Sequence, residues 1–413
     1  MAYKKIKVCY ILPFYEEGTD THLFYNYELI KNIAARKEFD IFVIVEKTNA
    51  TNLADHEKVS RTLGVHVYIQ RFKFLPMRFL ELSWKCMILS WRGYRNFYVH
   101  YSYYGAIAVW LLKASEGLIH SIKIFYWNRG MPWLFKRSWF EEAVFRFILR
   151  HTVLITGPES LAKEYVKRYG VKEYRILSNW VDVGRFTPFP ESQILQGHAY
   201  SPARFAEAPA RRAGELLCSR RRAAQSLAKL APPANGGYAN KCVVLFVHHL
   251  SKRKGADLVP QIARNFLHEQ VEFWMIGEGP EIEDLKIKIK DWKLEGNVKL
   301  LGQVPNAEIV KYFHAADVFL MPSREEGSPH VILEAMASGL PFVASDIGGI
   351  REIVPPELTD NLCKSEDADC FASKILLLLS DDDAWKKASD VSVVFSKNFD
   401  KDRGVKEFIA LFK

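Results

Sequence analysis

Residues 242–276 read CVVLFVHHLSKRKGADLVPQIARNFLHEQVEFWMI, and this stretch decides the fold. The apolar run 242–248 predicts a buried strand, which is followed by a basic loop and a helical pattern over 256–268. A second apolar run, 271–276, predicts the next strand. Strand, loop, helix and strand in this order make a βαβ unit, the building block of a parallel sheet.

The same alternation continues towards residue 345 and predicts a doubly wound domain. In an open sheet of this kind, ligands bind beyond the carboxyl ends of the strands. We therefore expect the functional residues in the loops that follow the strands. The further strands are predicted at 298–301, 318–321 and 342–345, and the helices at 281–293, 307–315 and 330–337.

The N-terminal half shows the same alternation of strands and helices, which predicts a second domain. A strand at 7–12, a helix at 21–37 and a strand at 41–46 make another βαβ unit. The chain has 413 residues, more than the roughly 250–300 at which one core splits into two. We expect domains at 1–185 and 241–394, joined by a linker or poorly ordered insertion at 186–240. Further strands of the first domain are predicted at 65–69, 96–100, 122–126 and 153–156.

Composition and charge indicate a globular protein with an anionic partner, but they do not identify that partner. Apolar residues make up 49% and charged residues 25%, which is typical of globular domains. The formal net charge of +9 favours anionic partners such as phosphorylated ligands, nucleic acid or an acidic membrane. The most basic stretch, 204–229, lacks the interleaved aromatic residues of a base-stacking surface, so we expect no nucleic-acid partner.

The cysteines indicate a reducing compartment. No CxxC pair and no metal-type spacing occurs among the six cysteines. Cys9 and Cys242 lie inside apolar strand-like runs, so we expect them to be buried, reduced thiols. This usage is typical of a cytoplasmic protein.

Residues 324–353, REEGSPHVILEAMASGLPFVASDIGGIREI, carry the most chemistry. A helix is predicted to start here with Pro329 at its first position, where the missing N–H costs nothing. The free N–H groups of a helix start suit a phosphate, and the carboxylates of Glu326 and Glu334 suit sugar hydroxyls because they only accept hydrogen bonds. The basic run 252–254 adds the charge that a diphosphate requires.

These motifs resemble the retaining glycosyltransferases of family 4, which have the GT-B fold. Glu326 and Glu334 match the E-x7-E motif of that family, and Lys254–Gly255 matches the end of its GRLxxxKG motif. The resemblance covers most of residues 243–354. It implies two Rossmann-like domains that face a central cleft, with the final helix, about 395–413, packing back on the first domain.

The resemblance also implies roles for individual residues. Glu334 would bind the ribose, Glu326 would lie by the transferred sugar, and Lys254 would bind the diphosphate. The family transfers a sugar from a nucleoside-diphosphate sugar to an acceptor hydroxyl with retention, and it needs no metal and no cofactor. Further substrate contacts are expected at Gly18, Arg253, Gly302, Gln303, Gly327, Ser328, His330 and Val331.

The sequence departs from the family at two places. His249 stands where the family has an arginine, so either it becomes protonated beside the diphosphate, or Arg253 substitutes, or activity is weak or absent. His248 is interpreted as a strand-end histidine rather than a catalytic group. Asn128 stands where the family carries a histidine beside the sugar, with His100 and His22 as alternatives.

Residues 71–95 favour contact with a membrane as much as they favour a buried helix. The segment interleaves Phe, Trp and Leu with six basic residues and only one acidic residue, Glu81. A basic amphipathic face of this kind lies on anionic membranes, whereas an ordinary buried helix with snorkelling basic ends has the same composition. The segment 133–150 carries a weaker version of the pattern.

Two rival functions remain open. The first is a GT-B sugar-nucleotide epimerase, for which the sequence offers no recognisable acid–base set. The second is a catalytically silent partner subunit that binds a nucleotide sugar, which only His249 supports.

Overall fold

The computed structural model describes residues 5–13, 24–46, 60–61, 63–72, 74–116, 121–189 and 241–412. The chain divides into two compact units. The first comprises Met1–Ser178 with Asp402–Lys413, and the second comprises Asn179–Lys401. Gly18, His22 and all but the first four residues of the expected insertion lie outside the described residues.

The described part of the first unit is built on a parallel sheet of seven strands in the order β3-β2-β1-β4-β5-β6-β7. The strand order reverses between β1 and β4, as in a doubly wound fold. The strands are Ile6–Leu12 (β1), Phe39–Val45 (β2), His66–Ile69 (β3), Asn96–His100 (β4), Lys123–Trp127 (β5), Val153–Thr156 (β6) and Tyr174–Ile176 (β7). The helices are Phe24–Ala34, Leu75–Trp91, Tyr103–Glu116, Trp139–His151, Glu159–Tyr169 and Lys401–Ala410.

The second unit carries a parallel sheet of six described strands in the order β10-β9-β8-β11-β12-β13. Here the order reverses between β8 and β11, so the loops after these two strands lie side by side. The strands are Cys242–Val247 (β8), Val271–Ile276 (β9), Val298–Gly302 (β10), Val318–Met321 (β11), Phe342–Ser345 (β12) and Leu362–Cys363 (β13). The α-helices are Val259–Ala263, Ile282–Asp291, Ile309–Ala315, His330–Ala337, Ile350–Ile353, Ala368–Ser380 and Asp382–Ser396.

Two parallel-sheet α/β units confirm the predicted fold class, and the differences are local. The strands β7 and β13 are missing from the sequence prediction because edge strands of three and two residues are too short to show a pattern. The predicted helix 256–268 is a broken series of short turns around Val259–Ala263. Pro260 lies in its first turn, where it removes a backbone donor.

The chain passes between the units at residues 178–179 and 401–402, whereas the sequence analysis placed the first boundary at residue 185. Asn179–Phe186 joins the second unit because its backbone is tied to the end of the chain. The N–H of Val181 donates to the carbonyl of Phe399 at 2.8 Å, and the N–H of Lys401 donates to the carbonyl of Val181 at 3.0 Å. Phe186 is buried in the core of the second unit.

The last helix packs on the first unit through aromatic rings. The ring of Phe408 lies 5.0 Å from that of Tyr98 and 6.4 Å from that of Tyr10. Phe412 packs edge-on against Phe125 at 5.1 Å. These contacts bury the apolar face of Lys401–Ala410 against β1 and β4.

The cysteines behave in two ways. Cys9 and Cys242 are buried free thiols, as predicted, and Cys86 is a third. Cys363 and Cys370, about which the sequence analysis made no separate prediction, form a disulfide with their Cα atoms 5.9 Å apart, which differs from the cysteine usage expected of a reducing compartment. Glu366 turns the intervening chain with a φ of 73°, which brings the two cysteines together.

Candidate sugar-donor site

Glycines allow three loops of the second unit to meet at the carboxyl edge of its sheet. A Cβ on Gly255, whose φ is 71°, would lie 2.0 Å from the carbonyl oxygen of Pro322. A Cβ on Gly277, whose φ is 134°, would lie 2.0 Å from the carbonyl oxygen of His248. Only glycine fits such positions. The loops after β8, β9 and β11 are therefore in direct backbone contact.

Glu326 is the centre of a buried polar cluster at the point where the strand order reverses. Its Oε1 atom lies 2.8 Å from Lys254 Nζ, 3.0 Å from His248 Nε2 and 2.8 Å from Ser323 Oγ. Glu326 and Lys254 are both buried. His248 and Lys254 come from the loop after β8, and Ser323 and Glu326 come from the loop after β11. The cluster therefore joins the two loops that flank the reversal.

The charges of the cluster determine its protonation. Burial by itself raises the pKa of Glu326, but Lys254 and His248 outweigh this and hold the pKa well below its usual range. Burial, and then the neighbouring Lys254, lower the pKa of His248. Glu326 is therefore ionised and His248 neutral near pH 7. Because an ionised carboxylate only accepts hydrogen bonds, Nε2 of His248 carries the proton.

This arrangement predicts an acid-sensitive fold. Since the pKa of His248 is lower in the folded protein than the value of about 6.5 for an unfolded histidine, its contribution to stability is present above about pH 6.5 and is lost as the pH falls. We expect the free energy of unfolding to fall more steeply from pH 7 to pH 5 in the wild type than in His248→Gln. Urea unfolding at several pH values measures this. Parallel curves for the two proteins would contradict the assignment.

The helix His330–Ala337 begins directly after this cluster. Pro329 is its N-cap rather than its first residue, which corrects the sequence prediction by one position. Pro329 has a φ of −71° and a ψ of 134°, so its extended backbone precedes the first helical turn. Among the described residues no side chain caps this end. The backbone N–H groups of the first turn, at His330 and Val331, lie at this end of the helix, and their role in binding phosphate stays a prediction.

Glu334 lies buried on the second turn of the same helix. It follows His330 by four residues, so the two side chains share one face of the helix. His330 Nδ1 lies 3.1 Å from the carbonyl oxygen of Trp180. The face of the helix that carries Glu334 is thereby fixed against the Asn179–Trp180 segment.

The remaining predicted contacts of the second unit lie on the loops around this edge. Gly302 ends β10 with a φ of 70°, and its carbonyl accepts from Gly277 N–H at 2.8 Å. Gln303, His249 and Arg253 are exposed. Gly327 is half-buried, and Ser328 holds a buried hydroxyl without a hydrogen-bond partner among the described residues.

Asn128 and His100 lie in the first unit. Asn128 is buried directly after β5, where its side-chain oxygen accepts from Gly130 N–H at 3.0 Å and closes a turn. His100 is fully buried at the end of β4 and stacks on Trp127 with ring centroids 3.9 Å apart. Their assigned roles beside the sugar stay predictions.

Four residues of this region were missed or undervalued by the sequence analysis. His248 was interpreted as a strand-end histidine, but it contacts Glu326 directly. Ser323 donates to the same carboxylate. Asn179 donates through Nδ2 to the carbonyl of Ser328. Arg324, in the loop after β11, bonds to Lys252 and Asp257 in the loop after β8. The apolar pattern carried no signal for these polar contacts, although Arg324 begins the motif segment 324–353 and Ser323 directly precedes it.

Comparison with known proteins gives the class of this domain. Residues 231–393 match the family described as glycosyl transferases group 1. The amylovoran biosynthesis glycosyltransferase AmsK of Erwinia amylovora is 38% identical over 150 residues, which are 34% of this chain and 36% of that protein. The GPI3 subunit of the phosphatidylinositol N-acetylglucosaminyltransferase of Saccharomyces cerevisiae is 33% identical over 122 residues, 29% of this chain and 27% of that protein. The chain thus covers about a third of the length of these relatives.

Solved structures give the fold of the two units. The sucrose-phosphate synthase of Thermosynechococcus elongatus superposes with a TM-score of 0.71 at 18% identity, covering 99% of this chain and 98% of that one. Anabaena HepE in complex with UDP and glucose superposes with a TM-score of 0.69 at 17% identity, covering 98% and 99%. The fold is therefore that of the GT-B glycosyltransferases, and residues 231–393 are similar to the glycosyl transferases group 1 family.

Proposed function

We propose that this chain is a retaining glycosyltransferase of the hexosyltransferase type. It moves a sugar from a nucleoside-diphosphate sugar to an acceptor hydroxyl during assembly of a glycan, glycolipid or polysaccharide. The observation that carries the proposal is the buried Lys254–Glu326 pair at the strand-order reversal of a glycosyltransferase group 1 domain. The names of the relatives, one in amylovoran biosynthesis and one acting on phosphatidylinositol, support a glycan or lipid-linked acceptor.

The chemistry requires stabilisation of a leaving diphosphate. As the bond to the anomeric carbon breaks, negative charge develops on the diphosphate, and fixed positive groups lower the barrier. Lys254 has three N–H donors and gives one to Glu326, so the others remain for phosphate oxygens. The backbone N–H groups of His330 and Val331 add the positive end of the helix. We propose that this set replaces a metal ion.

Glu326 is proposed to orient the transferred sugar. Its three contacts with described residues all go to Oε1, which leaves Oε2 to accept from a sugar hydroxyl. Because the carboxylate stays ionised, both oxygens act as acceptors. Ser328 and Gly327, in the adjoining loop, border the same sugar.

The nucleoside is proposed to lie between Glu334 and the loop after β10. Glu334 accepts from the ribose hydroxyls, while Gly302 and Gln303 border the base. His249 and Arg253, both exposed beside Lys254, add contacts to the diphosphate. The HepE structures with UDP and with UDP-glucose support uridine as the nucleoside.

The test of the proposal is a transfer assay. The protein is incubated with UDP-, GDP- and ADP-sugars, with and without a panel of glycan and polyprenyl-linked acceptors, in EDTA and again with added manganese. We expect UDP release that depends on the acceptor, equal rates in both buffers and an α-linked product from an α-linked donor by NMR. Epimer formation without acceptor supports the rival enzyme, whereas nucleotide binding with no turnover supports a silent subunit.

Glu334 is predicted to recognise the ribose. Glu334→Gln keeps the shape of the side chain but replaces one acceptor oxygen by an NH2 group, so UDP should bind about 10-fold more weakly. Wild-type protein should prefer UDP over 2′,3′-dideoxy-UDP, and the variant should lose most of this preference. Calorimetric titration measures both. The exposed Glu357, changed to Gln, is the control. An unchanged preference in Glu334→Gln would remove the residue from the ribose site.

We also propose that the first unit lies on an anionic membrane through the helix Leu75–Trp91. Its buried face presents Leu82, Cys86 and Leu89 to the core. The opposite face exposes Met77, Leu80, Trp84 and Trp91, which are 40%, 63%, 59% and 68% exposed. Their spacing of three, four and seven residues makes one apolar stripe. This stripe is absent from an ordinary buried helix, which was the alternative that the sequence left open.

Neighbouring segments of the first unit also expose aromatic and basic side chains. Phe72 and Phe74 precede the helix and are exposed. Trp139 and Phe140, at the start of the helix Trp139–His151, are 84% and 62% exposed. Arg71 and Arg92, which flank the helix Leu75–Trp91, are exposed cations that suit lipid phosphates. Among the described residues no helix has the length and apolar content to cross a bilayer.

The membrane contact is predicted to depend on the stripe. We expect the wild type to sediment with vesicles rich in phosphatidylglycerol and not with phosphatidylcholine alone. Trp84→Gln with Trp91→Gln should reduce the bound fraction at least about 10-fold, because interfacial tryptophans supply much of the affinity of such a helix. Ile287→Gln with Val394→Gln, which removes exposed apolar groups of the second unit, is the control. Equal sedimentation of both double variants would contradict the proposal.

A further inference from the structure

Arg324 joins its own loop to two other loops of the second unit. Its guanidinium grips the carboxylate of Asp257 with two hydrogen bonds, of 2.6 Å from Nη1 and 3.0 Å from Nη2. Nη1 also donates to the carbonyl of Lys252, and Nε donates to Glu366 Oε1 at 2.6 Å. The backbone N–H of Arg324 donates to the carbonyl of Arg253 at 2.9 Å. One residue thus ties the 252–257 loop and the 363–370 loop to its own.

The bond to Asp257 is the most protected of these contacts. The side chain of Arg324 is 24% exposed and that of Asp257 is 12% exposed, whereas that of Glu366 is 63% exposed. A bidentate arginine–carboxylate pair is strong and fixed in direction, and screening by water is weaker when it is buried. Glu366 is the outer anchor, in a segment closed by the Cys363–Cys370 disulfide.

The hydrogen bonds of Arg324 lie between the two halves of the proposed sugar-donor site. On one side, Lys252 and Arg253 supply the carbonyl groups that Arg324 holds, and Lys254 follows directly. On the other side, Glu326 follows Arg324 by two residues. The 2.8 Å contact of Lys254 Nζ with Glu326 Oε1 therefore spans the same two loops that Arg324 fastens.

We propose that Arg324 is a positioning residue for diphosphate binding, acting through Asp257 to hold Lys254 beside Glu326. The inference rests on the proposed function, because it takes Lys254 to be the phosphate ligand. The guanidinium of Arg324 itself donates its hydrogen bonds to Asp257, Glu366 and the carbonyl of Lys252. It orders the loop, and Lys254 makes the contact with phosphate.

The test compares this role with direct binding of phosphate by Arg324. We measure Kd for UDP by calorimetry in wild type, Arg324→Ala, Asp257→Asn and the double variant, at a temperature where circular dichroism shows each to be folded. Positioning predicts that each single change raises Kd about 10- to 100-fold and that the double change is no worse than the larger single change. Arg324→Lys should recover part of the loss, since lysine keeps the charge but not the bidentate grip.

A readout without ligand separates the inference from the proposed function. Hydrogen exchange of the peptide covering residues 251–258 should accelerate in Arg324→Ala and stay unchanged in Arg403→Ala, which breaks an exposed arginine–glutamate pair elsewhere. If the wild type binds no nucleoside diphosphate, the proposed function fails, whatever the exchange shows. If the wild type binds UDP and Arg324→Ala binds it within about twofold, or if Asp257→Asn leaves Kd unchanged, the positioning role is wrong.

Discussion

Lys254→Ala is expected to abolish the rise in melting temperature that UDP produces and to lower kcat/KM by about 10²–10³-fold. The ammonium lies 2.8 Å from Glu326 and is buried with it, so its charge acts in a poorly screened environment. Developing charge on the diphosphate is stabilised most by a fixed positive group of this kind. Thermal-shift measurements with UDP and steady-state kinetics with the best UDP-sugar report the two losses.

Lys252→Ala is the matched control, because the two lysines lie on the same turn but the side chain of Lys252 is exposed. That variant should keep its UDP shift and most of its activity. Since loss of Lys254 leaves Glu326 without its cation, the variant should also be less stable, and binding is therefore compared below the lower melting temperature. If Lys254→Ala retains the full UDP shift while folded, the site has been assigned to the wrong residues.

Glu326→Ala is expected to cost both activity and stability. It leaves the buried Lys254 unpaired, and removing one partner of a buried pair costs about 3–5 kcal/mol. His248 and Ser323 lose their acceptor as well. Loss of the proposed contact with the sugar hydroxyl should lower kcat/KM by about 10²–10³-fold. Urea unfolding and kinetics give the two quantities.

Glu326→Gln separates these effects, since the amide keeps an acceptor for Ser323 and His248 but lacks the charge. We expect a smaller loss of stability than in the alanine variant and a comparable loss of activity. Glu325→Gln changes the neighbouring, half-buried carboxylate and should leave both quantities near those of the wild type. A Glu326→Gln enzyme with wild-type kcat/KM would show that the carboxylate supports the fold alone.

Much of the second unit was predictable from local pattern. The predicted helix 330–337 is the observed His330–Ala337, and the predicted strand 318–321 is the observed Val318–Met321. Continuous apolar runs and helical periodicity report burial, which local geometry translates directly into an element. The position of Pro329 was off by one residue because a proline is compatible both with the N-cap and with the first turn.

The site was only partly predictable. Lys254 and Glu326 were each assigned from motifs, but their 72-residue separation gave no sign that they bond to each other. His248 was interpreted as a structural residue because a histidine at the end of a strand ordinarily finds its hydrogen-bond partners nearby in the chain. Its partner is instead Glu326, 78 positions away. Arg324 and Asp257, 67 positions apart, were missed for the same reason.

The amino-acid sequence by itself determined the alternation of strands and helices, the glycines at tight turns and the positions of the acidic and basic side chains. Those are properties of neighbouring residues, and short-range sterics and burial are enough to specify them. Only the tertiary structure decided which loops meet, because β8 and β11 pair although the strands β9 and β10 and the helices around them separate the two in the chain. The reversal of strand order brings Lys254 to Glu326 and Asp257 to Arg324, and with those contacts it decides where charge is concentrated.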